Sequence, residues 1–497
     1  MTDLMSRCSN AVLRQVFCAS LLLLAAGCSS PLGDSFRVAR NEASLKSSTL
    51  TDRTENQDPP PATPEARPPV PAPLPAPISP PPAVPPPPPP PPPAPKPPQA
   101  QIPADSQFNS AKWKSGVNKT TEVTPSNFAT ILAQADPGDT IVLRPGSYEP
   151  LTVSVSGSAT APIFIKAKVP AVTSVNAVEG SVVLAEPQER SSFLGTMRVT
   201  GSNLSIEGLY FGPLAGGHGI DIDDADSLLF RFNHFEELDH IGIYAYSTQR
   251  GAHKNIGVID NYFRNMTPAP PGNSVKMDYG VGVYATDDFE AIGNFFDGIF
   301  NHSISLKSKN FRSKILRNYF KGCGQKCLHV GQETDGESGQ TDVTGSDALI
   351  QGNRFVSAYR QFDASHGTTA VHLQNLGNIK FLDNTFLNAW GNTVTSHFVV
   401  NGGHLLENVS PGGLGQRGPV YNEGLEVRNN RFNGGAITFS GRGRGALDVV
   451  NVRDNTGTAT CAIKPLNDNR VPASYLDPDL NREAPTVVQS TNSFDCR

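Results

Sequence analysis

Much of the chain alternates apolar and polar residues over short, β-branched runs closed by Gly, Asn or Asp, as in Gly219-Ile220-Asp221-Ile222-Asp223. Period-two alternation of this length predicts strands with one buried face. Between the runs one phrase returns, Asn, any residue, then Phe: Asn233-His234-Phe235, Asn261-Tyr262-Phe263, Asn294-Phe295-Phe296, Asn318-Tyr319-Phe320, Asn353-Arg354-Phe355, Asn384-Thr385-Phe386 and Asn430-Arg431-Phe432. The steps run from 24 residues (Asn294 to Asn318) to 46 (Asn384 to Asn430), the mark of a solenoid whose units must stack to bury their apolar faces. Strand alternation excludes the helical solenoids. The uneven steps predict an all-β fold, a right-handed parallel β-helix, because strands keep a spacing of about 4.8 Å while corner loops vary in length. Each Asn is expected at a turn, in left-handed backbone and bonded to main chain, and each Phe in an inward stack.

The end coils of such a solenoid expose edge strands and need covers. Thr124-Pro125, followed by Phe128, Ile131 and Leu132, predicts an N-terminal capping helix with Thr124 as N-cap and Pro125 in the first helical position. The next phrase, Pro137-Gly138-Asp139-Thr140-Ile141-Val142-Leu143-Arg144-Pro145-Gly146-Ser147-Tyr148, resembles the first coil of many polysaccharide-acting β-helix proteins. Two disulfides are expected in an exported chain, Cys323 with Cys327 and Cys461 with Cys496, the second closing the C-terminal end. No second cluster of Cys or His has zinc-like spacing, so no metal site is expected from them.

Residues 1–103 read as delivery segments. Arg7 and Arg14 precede the apolar run Leu21 to Ala26, which ends at Gly27-Cys28-Ser29-Ser30; the run is too short to span a membrane and fits an export signal over residues 1–27. Its ending resembles a bacterial lipoprotein signal, with Ala25 where that pattern prefers Leu. The resemblance implies lipidation of Cys28 and, through Ser29, an outer-membrane lipoprotein; an ordinary signal peptide cleaved nearby is the alternative. Residues 28–57 are polar. Residues 58–103 are Pro-rich, with an unbroken run from Pro85 to Pro93, and predict an extended tether of about 3.1 Å per residue. Residues 104–497 are expected to form one β-helix domain, since solenoids grow by adding coils. A net charge of −5 gives no reason for nucleic-acid binding, and a monomer is expected.

Laying the strands over one another brings distant residues into outward columns. Aligning Ile220-Asp221-Ile222-Asp223, Ile243-Tyr244-Ala245-Tyr246, Val283-Tyr284-Ala285-Thr286, Ile304-Ser305-Leu306-Lys307, Leu328-His329-Val330-Gly331 and Val371-His372-Leu373-Gln374 gives one column of Asp221, Tyr244, Tyr284, Ser305, His329 and His372. The second holds Asp223, Tyr246, Thr286, Lys307, Gly331 and Gln374. Gathered Tyr, Lys and His suit β-elimination from an acidic, uronate-containing polysaccharide, which needs a neutralised carboxylate, a base and a proton for the leaving oxygen. Lys307 is the candidate base, provided its surroundings favour the neutral amine. His329 or His372 is a candidate carboxylate partner or alternative base. Tyr284 or Tyr246 is a candidate acid or sugar platform, with Tyr244 beside them, and Asn310 and Gln374 are candidates for holding hydroxyls.

The stretch Ser303-Ile304-Ser305-Leu306-Lys307-Ser308-Lys309-Asn310, with Leu316-Arg317-Asn318-Tyr319-Phe320 and Cys327-Leu328-His329-Val330-Gly331, resembles the core of the chondroitinase B and alginate lyase family, the likeness running over roughly residues 122–400. The resemblance implies a polysaccharide lyase whose catalytic Lys is Lys307. The family's essential Arg falls at His329, and its calcium carboxylates fall at Phe300 and His302, so calcium stays a candidate cofactor whose family ligand positions are not matched. Carboxylate neutralisation would then pass to Lys309, Arg312, Arg360 or His302. Two rivals stand beside this reading. Gly217-His218-Gly219 with Asp221, Asp223, Asp224 and Asp287-Asp288 suggests a polygalacturonase-type glycoside hydrolase, whose acids should precede rather than follow that motif. A non-catalytic polysaccharide-binding or adhesin β-helix is favoured by the replaced Arg and acids, with loops 332–347 and 401–424 as groove walls in either case. A C5-epimerase shares the lyase's proton abstraction.

Overall fold

The computed structural model describes residues 102–496 apart from 215–216, 248–250, 265–278, 308–309, 325, 332–344, 357–368, 375–377, 388–395, 402–423, 442–448 and 466–485. The signal, Cys28, the polar segment, nearly all of the tether, Lys309, Arg360 and most of both long loops lie outside the described residues. Within them the strands form three long parallel sheets of 13, 11 and 11 strands, each strand pairing with those one coil before and after it. The result is a right-handed parallel β-helix, the hand that parallel crossovers take.

The repeated phrase builds the corner between two of the sheets. Phe211, Phe235, Phe263, Phe296, Phe320, Phe355, Phe386 and Phe432 stack face to face inside the coil, with centroids 4.6–5.1 Å apart. The Asn form a buried ladder: Asn294 Nδ2 donates to Asn318 Oδ1 at 2.9 Å, and Asn318 Nδ2 to Asn353 Oδ1 at 3.0 Å. The ladder runs past Asn430 to Asn455, where Gly457 stands in place of the Phe, and on to Asn492, whose Ser493 and Phe494 complete the same phrase once more. One expectation is corrected. The left-handed residue is the one before each Asn, among them Phe232, Asp260, Arg317 and Asp383, with φ of 53–56°. The corner turns there, which leaves each Asn side chain free to point inward at main-chain oxygens.

A short helix, Phe128–Leu132, lies between the first two strands of the longest sheet, Thr120–Val123 and Thr140–Leu143. Phe128 packs edge-on to Tyr148 at 5.5 Å. The helix starts later than expected, with Asn127 in the N-cap position. Thr124 and Pro125 occupy the preceding turn, where the Thr124 N–H donates to Asn127 Oδ1. Both expected disulfides are present, Cys323–Cys327 and Cys461–Cys496. Two further layers cover the coil from outside. Residues 102–113 lie across the longest sheet, burying Phe108 and Trp113 against Leu229, Ile259, Ile292 and Leu316. An antiparallel hairpin, Val172–Asn176 with Ser181–Leu184, covers Tyr262, Phe295 and Tyr319 on the Phe-bearing sheet.

Candidate active site

The third long sheet carries the candidate site on its outer face. Its strands Ile241–Ala245, Tyr279–Tyr284, His302–Lys307, Lys326–Gly331 and Thr369–Gln374 follow one another coil by coil. Inward Val281, Val283, Ile304, Leu306, Leu328 and Val330 are buried in the core. The alternate residues therefore face out.

The register agrees with the sequence reading at Asp221–Tyr244, Ser305–His329 and His329–His372. It differs by two residues on one strand. Tyr284 pairs with Lys307, Gly282 with Ser305 and Tyr279 with His302, so Tyr284 moves into the Lys307 column. Thr286 leaves the face altogether for a short fourth sheet, where it pairs with His253. The cause is local: the strand's inward pair is Val281 and Val283, and Ala285, with φ of 52°, ends it. A Cβ on Gly282 would lie 3.3 Å from the Tyr279 ring and 3.5 Å from the Tyr244 ring, so this glycine lets two aromatic residues of neighbouring columns sit close together.

Lys307 stands at the centre. Its side chain is almost wholly covered, with 6% of the residue exposed, and Nζ donates to Tyr279 Oη at 3.2 Å. The same nitrogen lies 5.3 Å from the centroid of Tyr279 and 5.9 Å from that of Tyr284, within cation–π range of both. His302 stacks on Tyr279 at 4.8 Å and bonds Ser305 Oγ through Nδ1 at 3.3 Å. His329 packs on His302 at 5.0 Å and on His372 at 5.2 Å. Tyr284 continues the aromatic surface to Tyr246 at 5.1 Å and Tyr244 at 6.0 Å. Across the four strands from Tyr279 to Gln374 the paired outward positions hold Tyr, Ser, Lys, His, Thr, Gly and Gln and no carboxylate. An amine and three imidazoles gathered on these four strands suit an anionic ligand. Tyr279 is the residue the sequence reading missed. It follows residues 265–278, and its spacing of two from inward Val281 would put it in the core of a regular strand; the alternation breaks at Gly280, where a Cβ would meet the Phe296 ring, and Tyr279 turns out to Lys307 instead.

The remaining candidates divide. Asn310 is buried and serves backbone: Nδ2 donates to Lys307 O at 2.7 Å and Oδ1 accepts from Thr286 N at 3.1 Å. Its amide thus ties the turn after Lys307 to the coil before, which corrects the expectation that it holds a sugar hydroxyl. Arg312 grips Asp288 through Nε at 2.7 Å and Asp287 through Nη2 at 3.1 Å, and these acids raise its already high pKa. It is committed to a corner ion-pair cluster beside the fourth sheet. Gln374 pairs with Gly331 in the Lys307 column by its backbone register.

The hydrolase constellation is engaged elsewhere as well. Asp221 Oδ1 meets His218 Nδ1, whose Nε2 bonds His240 Nδ1 at 2.6 Å, and Asp223 receives Arg198 Nε. Asp224 turns a corner with φ of 47°. The carboxylates of Asp221, Asp223 and Asp287-Asp288 are thus held by His218, Arg198 and Arg312. The expected calcium positions fit no better. Phe300 offers no side-chain oxygen and the His302 ring is stacked, whereas calcium takes several oxygen ligands. No group of three or more His, Cys, Asp or Glu suited to a metal occurs among the described residues.

The family described as the right handed beta helix region matches residues 192–361. No curated protein sequence matches the chain. Among solved structures the chain is similar to an alginate lyase from a Paenibacillus species, at 15% identity over 69% of this chain and 94% of that one, with a TM-score of 0.30. It is similar to the A-module of a mannuronan C-5 epimerase from Azotobacter vinelandii, at 11% identity over 75% and 94%, with a TM-score of 0.39. A lacto-N-biosidase from Eubacterium ramulus gives 11% identity over 76% and 68%, with a TM-score of 0.40. Likeness at this level assigns no chemistry, which rests on the side chains above.

Proposed function

We propose that this β-helix cleaves an acidic, uronate-containing polysaccharide by β-elimination, with Lys307 as the base. The observation that carries the reading is the covered Lys307 amine bonded to Tyr279 Oη and set against the rings of Tyr279 and Tyr284. In the reaction the base takes the proton from the carbon beside the carboxylate. The freed electron pair forms the new double bond, the bond to the glycosidic oxygen breaks, and that oxygen takes a proton. Lys307 accepts the first proton in its neutral form. Tyr279 or Tyr284 supplies the second. The partly exposed His372 faces the substrate carboxylate, with His329 and His302 buried in the row behind it; the charge of that carboxylate must be relieved before the neighbouring proton can leave. Tyr244 and Tyr246 offer ring faces to sugar units further along the polymer.

The test is ultraviolet absorbance of the unsaturated product while the full chain is incubated with a panel of uronate polymers, with and without calcium. Lys307→Ala is expected to abolish the signal with an unchanged circular-dichroism spectrum, and a fully active variant removes Lys307 from the mechanism. His329 at the family's Arg position favours the second reading, binding without cleavage; polymer retention with no product would select it, and sugar inversion without cleavage would select the epimerase. We also propose that Cys28 carries lipid and holds the protein at the outer membrane through the Pro-rich tether. Cys28→Ser should release it from membranes, and unchanged membrane association defeats that part.

A further inference from the structure

A second concentration of positive charge lies away from Lys307, outside the Phe-bearing sheet. Arg317, Arg354 and Arg431, with Thr385, Gly352 and Val178, line a cavity of about 320 Å³, at the lower end of the range for small-molecule sites. The fold creates it by a change in one outward column. Upstream the column is aromatic, Tyr262, Phe295 and Tyr319, and lies under the hairpin. One coil later Tyr319 gives way to Arg354, then to Thr385 and Arg431. Arg354 Nη1 donates to Val178 O in the hairpin turn, which fixes this guanidinium at the cavity edge. Gly352 supplies room: it turns the corner at φ +66°, and a Cβ there would lie 3.3 Å from Arg317 Cγ.

Three guanidinium groups around one small space repel one another unless an anion joins them. Among the described residues no Asp or Glu lines the cavity. Asp383 on the same corner accepts from Gln351 Nε2 at 2.8 Å, and Arg431 Nε donates to Asn433 Oδ1 at 3.3 Å. Arg317 also feels Asp105 and Asp260, so part of its charge is balanced from behind. Among the described residues no carboxylate pairs with Arg354 or Arg431. Their planar forks match the oxygens of a carboxylate, sulfate or phosphate, and the Thr385 hydroxyl beside them can donate or accept. The volume takes one sugar ring.

We infer that this cavity binds a single acidic sugar unit, its oxyanion between Arg354 and Arg431, as a site separate from the Lys307 face. Titration calorimetry on the full chain with glucuronate, a glucose sulfate, glucose and inorganic phosphate tests it. The acidic sugars are expected to bind and glucose to give no heat, and the tighter of the two acids identifies the anion. Arg431→Glu, at an exposed position that leaves the coil intact, should weaken binding about tenfold or more, while Lys307→Ala leaves it unchanged. Equal binding by Arg431→Glu, equal binding of glucose, or loss in Lys307→Ala overturns the site. Inorganic phosphate binding as tightly as the acidic sugars overturns the sugar assignment.

Discussion

Asn318 ties three coils together through one amide. Nδ2 donates to Ala291 O at 2.9 Å and to Asn353 Oδ1 at 3.0 Å, while Oδ1 accepts from the Asn294 N–H and from Asn294 Nδ2. Alanine at this position strands several fully buried polar groups, each costing about 1–3 kcal/mol. Asn318→Ala is therefore expected to lower stability by about 3 kcal/mol or more, read from urea unfolding; a loss below about 1 kcal/mol would show that the ladder relaxes around the gap. Tyr279 carries the residue-scale prediction for the reaction. Tyr279→Phe keeps the ring against His302 and Lys307 but removes the oxygen that Lys307 Nζ bonds. A fall in kcat of about 100-fold with little change in KM is expected if the phenol takes part in proton transfer. A change confined to KM would make it a binding residue. The contrast between the two residues shows what sequence can reveal. Asn318 was legible because its role repeats in every coil, whereas Tyr279 occurs once and the alternation breaks beside it at Gly280.

Elements respond to pH through two buried groups on adjoining sheets. His234, in the column covered next to the hairpin, stacks on Tyr262 at 4.9 Å, and burial pushes its pKa down from 6.5 to about 3. The folded state thus prefers neutral imidazole. Its stabilising contribution is whole above pH 6.5 and is lost as pH falls from there toward about 3. Asp260, at the corner before Asn261, behaves oppositely. Burial raises its pKa from 3.8 to about 7 against the pull of Arg231, whose Nη2 lies 3.3 Å away. A raised acid contributes stability below pH 3.8 that is lost as pH climbs through about 7. Between pH 3.8 and 6.5 the two slopes oppose and cancel, so thermal stability should stay level there and decline below pH 3.8 and above pH 6.5. His234→Phe, which continues the aromatic column, should flatten the acid limb, and Asp260→Asn, which keeps a residue tolerant of left-handed backbone, should flatten the alkaline limb. Unchanged limbs in both variants would remove these two groups as the cause. Neither shift was visible in sequence, because burial of His234 depends on Tyr210 and Tyr262 stacking on it from the coils before and after.

For the whole molecule the question is what makes a stack of coils unfold as one body. Solenoid coils contact only their neighbours, so such a molecule opens in stages unless something links distant coils. The segment from Ile102 to Trp113 does so. Lys112 Nζ reaches Ala159 O at 2.9 Å, Ser106 Oγ donates to the Glu290 carboxylate, Asp105 pairs with Lys314 Nζ at 3.1 Å, and Ile102 packs near Leu349. Each contact belongs to a different coil. Outward Leu229, Ile259, Ile292 and Leu316 form the apolar track beneath, alternating with core residues such as Phe230 and Val258. These out-of-phase apolar residues were the sequence signal for a covering strap, and they read as noise until the register was known. Trp113→Ala is expected to cost about 3–5 kcal/mol and to split calorimetric unfolding into more than one transition. Opening the Cys461–Cys496 bridge, which closes 35 residues at one end, should cost a similar amount, about 3–4 kcal/mol. Its loss is expected to fray only the terminal coils and leave the main transition single. If Trp113→Ala instead lowers the melting temperature with one sharp transition, the coils are cooperative through the Asn and Phe ladders alone, and the strap adds area without coupling.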